Sequence, residues 1–103
     1  MAAIAGTFTA TGQSASFAPA VDPRGTNGGA FNVTLSGTFV GTVKLQRSFD
    51  NGTTWHDITA AGTAIAAFTT AVSEVWVEPE AGVIFRLNCT AYTSGTVTYR
   101  LGA

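Results

Sequence analysis

Charge is what this sequence has least of. Asp, Glu, Lys and Arg together make up 11% of its 103 residues, against ~25% in an ordinary soluble domain. The five cations, Arg24, Lys44, Arg47, Arg86 and Arg100, are scattered, and the formal net charge is −1. No basic footprint for nucleic acid is therefore present. The single cysteine, Cys89, excludes an internal disulfide and any multi-cysteine metal site. It points to a chain made in, or tolerant of, a reducing cytoplasm. No apolar run approaches the ~18 residues that a membrane span needs. Residues 1–6 are small and apolar, without a basic residue, and too short for a signal peptide. Helical periodicity is missing throughout, which leaves strands.

The place of charge is taken by Thr, Ser, Gly and Ala. Thr suits a pleated surface through its branched Cβ. The length allows one domain and not two. A chain of this size hides roughly two-thirds of its unfolded surface, enough for a modest core. So few charges on a chain of positive mean hydropathy imply either a robust small β-domain or one whose surface is covered in an assembly.

Read for period two, the chain divides into strands and turns. Residues 4–10 and 13–18 are weakly apolar, with Phe8 and Phe17 as their only large side chains. Residues 19–29 hold Pro19, Pro23, Gly25, Gly28 and Gly29 and read as a loop. Phe31, Val33 and Leu35 then alternate with polar residues up to Gly37. Residues 39–49 form the longest alternation, with Val43, Leu45 and Phe49 on one parity and Arg47 as the charged exception. Asp50-Asn51-Gly52 is the strongest local signal, since Asn-Gly takes positive φ cheaply and favours a tight hairpin. Its return strand is 53–59. Strands follow at 63–70 and 74–78, and residues 79–82 turn. The last two strands, 83–92 and 96–101, read as a central hairpin closed at Thr93-Ser94-Gly95.

This predicts an all-β fold: a single antiparallel β-sandwich or jelly-roll-like domain of about eight short strands. Residues 31–103 would be the sandwich body. Residues 1–30 would be either a pair of edge strands with a loop or an arm that orders against a partner by strand addition.

No residue pattern calls for catalysis, a cofactor or a metal. A nucleophilic triad needs a positioned base, and the only histidine, His56, sits beside the hairpin as an exposed or half-exposed side chain. Cys89 lies on the buried parity, where it acts as a small hydrophobe. Glu78 and Glu80 flank Pro79 and, with Glu74, read as a solvated strand end rather than a glycosidase pair. Asp50, Asn51 and Asp57 lack the spacing of a calcium loop. Trp55, Trp76, Tyr92 and Tyr99 are either core or an aromatic platform.

The interface candidates are Phe8, Phe17, Arg47, Trp76 and Tyr92. Arg47 must lie at the sheet margin, pair with Asp57 or Glu78, or point at a partner. Trp76 shares parity with Glu74 and Glu78, which predicts a solvent or partner face. Tyr92 shares parity with Arg86, Asn88 and Thr90.

The segment Leu45-Gln46-Arg47-Ser48-Phe49-Asp50-Asn51-Gly52-Thr53-Thr54-Trp55 resembles a hairpin of small β-sandwich proteins encoded among the structural genes of tailed bacteriophages. The stretch from Glu78-Pro79-Glu80-Ala81-Gly82 through Arg86-Leu87 to Tyr92-Thr93-Ser94-Gly95-Thr96-Val97 is similar to the same group. The resemblance covers about residues 37–101. It implies a non-enzymatic virion protein, most readily a capsid decoration or cement protein on the outer surface of the head, assembled in the host cytoplasm. Its partners would be the major capsid protein and copies of itself, as a dimer or trimer, with no nucleic acid and no membrane. The alternative it leaves open is a tail or fibre module that binds carbohydrate or a host surface through Trp76 and Tyr92.

Overall fold

The structure, a computed structural model, describes residues 3–19, 29–80 and 82–102. These contain no helix and run through eleven strands: β1 (Ile4–Phe8), β2 (Gly12–Gln13), β3 (Gly29–Ser36), β4 (Phe39–Ser48), β5 (His56–Asp57), β6 (Thr59–Ala60), β7 (Thr63–Ala64), β8 (Ala67–Phe68), β9 (Val72–Glu78), β10 (Ile84–Gly95) and β11 (Val97–Gly102). Every pairing is antiparallel. A four-stranded sheet has the order β1-β11-β3-β9. A five-stranded sheet has the order β2-β10-β4-β5, with β8 also on β4, and β6 and β7 form a separate ribbon. The chain is all-β, and the two larger sheets meet in a sandwich-like arrangement.

Apolar alternation drives this arrangement. Phe31, Val33 and Leu35 of β3 point inward beside Val97 and Leu101 of β11. Val43 and Leu45 of β4 and Phe85, Leu87 and Cys89 of β10 point inward from the other sheet. The sheets touch directly where the Phe31 and Phe85 rings lie 4.5 Å apart, with Phe17 5.7 Å from Phe31. Burying each such ring contributes about 1.5–3 kcal/mol.

Two expected strands are broken. Residues 53–59 divide into β5 and β6, and 63–70 into β7 and β8, because the chain leaves the sheet at Ile58 and returns at Ala66, whose carbonyl accepts the Leu45 N–H at 3.0 Å. Residues 13–18 shorten to β2 and a bridge from Phe17 to Phe85. Within the N-terminal segment, β1 and β2 are edge strands, one in each sheet. The loop expected at 19–29 lies largely outside the described residues.

The expected hairpin between the last two strands is not one. β10 belongs to the five-stranded sheet and β11 to the four-stranded sheet. The chain changes sheets at Gly95-Thr96, alongside the other crossing, Gly37-Thr38, between β3 and β4. Gly95 (φ 90°) and Gly37 (φ 97°) are both left-handed. A Cβ on Gly95 would overlap the Thr38 carbonyl, and one on Gly37 the Thr96 carbonyl. Thr96 N–H donates to the Thr38 carbonyl at 3.2 Å. Clean alternation on both sides of a Gly suits a hairpin and a crossing equally; only packing separates them.

The turn after β4 is wider than the tight hairpin that Asn51-Gly52 suggests, since pairing resumes only at Arg47↔His56. Asn51 and Gly52 do take positive φ. The fully buried Ser48 hydroxyl accepts the Gly52 N–H at 2.9 Å and donates to Asp50 at 2.8 Å, and the same Asp50 oxygen accepts the Thr54 N–H at 2.8 Å. The Thr54 amide, then Ser48, hold the Asp50 carboxyl down to about 2.

Two predictions follow from the crossing and the turn. Gly95→Ala should destabilise the fold by about 2–4 kcal/mol, combining left-handed strain with overpacking. Gly62→Ala, left-handed but in open space, should cost only about 1–2 kcal/mol; urea denaturation of both variants checks the difference. The depressed Asp50 pKa gives stability that is present above the ordinary carboxyl value and lost as pH falls through about 2. The Thr54 amide resonance should therefore titrate with a midpoint near 2, and Asp50→Asn should abolish that titration.

Candidate functional site

Arg47 occupies the inward parity of β4, after Val43 and Leu45. An inward guanidinium at a sheet margin needs an anion, and β9 of the facing sheet supplies one. Arg47 Nη2 bonds Glu78 Oε1. Glu78 is only 3% exposed, and its other oxygen accepts the Glu80 N–H at 3.0 Å. The guanidinium also lies 4.7 Å from the Phe49 ring.

The Glu78 reading as a solvated strand end is thus corrected: it is the buried counter-ion of Arg47. Trp76 is corrected with it. On β9 the inward parity carries Trp76 and Glu78, while Val75 and Val77 point outward, each 69% exposed. Two reasons favour this face over its reverse. The indole buries more apolar area than either valine, and a one-residue slip would leave the Arg47 charge unpaired.

The pair borders a cleft of about 160 Å³ lined by Arg47, Trp76, Val77, Glu78 and Pro79, with Ile58 and Phe85 completing it. That volume is below the ~300–1,000 Å³ of sites for drug-sized ligands and fits one side-chain-sized group. The Trp76 indole Nε1–H is buried without a partner among the described residues. Both Glu78 oxygens are engaged, so the carboxylate acts as a fixed structural anion here. What the cleft can do is receive one small apolar group. Outside it runs the edge of β9, which has β3 on one side and no strand among the described residues on the other.

Two of the five interface candidates, Arg47 and Trp76, therefore meet in one cleft. The other three do not join them. Phe8 is buried and stacks on Tyr99 at 4.8 Å. Phe17 is buried and tied to Phe85 by backbone hydrogen bonds of 2.7 and 2.8 Å. Neither ring is on the surface of the folded chain. Tyr92 leaves the outer parity because β10 bulges between Cys89 and Ala91, which sets Tyr92 opposite Gly41 on the parity of Val43; a second bulge follows between Tyr92 and Ser94. It packs half-buried against the core and donates to the Gly95 carbonyl at 2.6 Å. A Trp76–Tyr92 sugar platform therefore does not form.

His56 is exposed, 5.7 Å from Phe49. Cys89 is buried, and burial pushes its thiol up. Ile58 and Phe85 were not singled out in sequence as cleft residues. Both come from elements other than β4 and β9, and no local pattern links them.

Arg47→Met leaves Glu78 a buried charge without its partner. It should lower unfolding stability by about 2–3 kcal/mol, less than for a wholly buried pair because Arg47 keeps part of its side chain in water. Arg47→Met/Glu78→Gln should recover more than half of that loss in the same denaturation measurement.

Comparison of the chain with protein-family models, with curated proteins and with solved structures finds no match.

Proposed function

We propose that this domain is a non-enzymatic structural protein of a virion, a capsid decoration or cement protein that binds the outer surface of a tailed-phage head and copies of itself. The reading draws on the resemblance of residues 37–101 to small virion β-sandwich proteins and on the low charge. The observation that carries it is the pair Val75 and Val77, both 69% exposed on the free edge of β9 and continuous with the Trp76 cleft. An exposed edge of β-branched residues is a template for pairing with another chain. Adjacent room for one side chain gives such pairing a specific anchor. Phe49, Ile65 and Val40 are also about half exposed, in keeping with a surface that an assembly covers.

Quantitative gel analysis of purified particles tests the assignment. A decoration protein should be present in hundreds of copies per particle. A copy number matching one tail or portal ring would overturn it in favour of a tail component. Val75→Thr/Val77→Thr should leave the thermal midpoint nearly unchanged and reduce retention on the particle.

A further inference from the structure

The outer face of the five-stranded sheet carries a continuous polar ladder. Gln13 donates to Asn88 at 3.2 Å, and Asn88 donates to the Gln46 carbonyl at 3.3 Å. Arg86 Nε donates to that same carbonyl at 2.9 Å. Gln46 in turn donates to Asp57 at 2.8 Å, and Lys44 closes the row on Asp57 at 3.2 Å. The amides are largely spent on each other, and Asp57 is matched by Lys44. Arg86 is the exception. Its guanidinium sits 4.5 Å over the Trp55 ring, and partial burial draws it below its ordinary value. It touches no carboxylate among the described residues. Stacking and the Nε bond hold its plane, leaving the two Nη groups as a fork that suits a carboxylate.

The charges of the described residues narrow the source of that carboxylate. Lys44 pairs with Asp57 and Arg47 with Glu78, and Asp50 is occupied by its turn. Among the described residues this leaves two cations, Arg86 and Arg100, and two exposed carboxylates, Glu74 and Glu80. Glu80 lies in the exposed turn just before β10, and Arg86 lies near the start of β10. Both therefore lie close along the chain to the connection from β9 to β10, and a two-fold axis passing near it can satisfy both at once.

We propose that Arg86, braced by Trp55 and Gln46, is the anchor of a symmetric contact between two copies of this chain, in which it receives the Glu80 carboxylate of the second copy. Trp and Arg are the residue types that dominate such contacts. A lone anion at a half-exposed guanidinium gains little, so the pair needs the surrounding surface of a second copy. The proposal rests on the reading of the domain as a self-associating virion protein.

Sedimentation equilibrium of the purified full chain tests it. The wild-type chain should dimerise, more weakly as salt is raised. Arg86→Gln and Glu80→Gln should each raise the dissociation constant about tenfold or more, and Glu74→Gln should not. Arg86→Glu/Glu80→Arg should restore association. Glu80 is exposed, so its variant reports on the contact even where Arg86→Gln perturbs folding. A chain monomeric at all concentrations, or a dimer indifferent to Glu80→Gln, would overturn the contact. Copy number on the particle reports separately on the virion reading.

Discussion

The two crossings between sheets lie against each other, and the rest of the domain is built out from them. At each crossing a glycine stands where the other strand's carbonyl leaves no room for a Cβ: Gly37 against Thr96, Gly95 against Thr38. With both strands turning together, β3 and β11 continue as a pair in one sheet and β4 and β10 as a pair in the other. That aligns Phe31 over Phe85. The bulges in β10 belong to the same corner. They bring its backbone so close to Gly41 that a side chain there would overlap the Ala91 carbonyl, and the first of them rotates Tyr92 inward, where its hydroxyl holds the Gly95 carbonyl.

Farther along β4 and β9 the interior is closed by charge rather than by hydrocarbon. A buried ion pair is a weak source of net stability but a strong source of specificity, because breaking it leaves a charge stranded. Arg47 and Glu78 thereby set the face that β9 presents. Trp76 goes in, Val75 and Val77 go out, and a sheet edge that could have been polar becomes apolar. The exposed valines and the small cleft are two consequences of one pairing, and the proposed binding surface depends on it.

So few charges also make their placement informative. Most of those described have a partner or a local role: Lys44 with Asp57, Arg47 with Glu78, Asp50 in its turn. Arg86 is instead held by an aromatic ring and a neutral amide. The sheet face bearing Arg86 and the edge bearing Val75 and Val77 are different surfaces with different chemistry.

The sequence alone was sufficient for whatever depends on neighbours along the chain. Period-two alternation places β3, β4, β10 and β11 and makes the domain all-β, and Asn51-Gly52 marks the turn through its tolerance of positive φ. Arg47, as the odd charge on an apolar parity, limited its possible partners to a few acids that included Glu78. What the sequence could not settle is what depends on distant contacts. Alternation reads the same for a hairpin as for a crossing, so the parting of β10 and β11 was decided by the glycine corner. The inward face of β9 was decided by a cation thirty-one residues away, and the turning of Tyr92 by a bulge that no local pattern announces. Parity names two faces of a strand, and only tertiary packing decides which of them water sees.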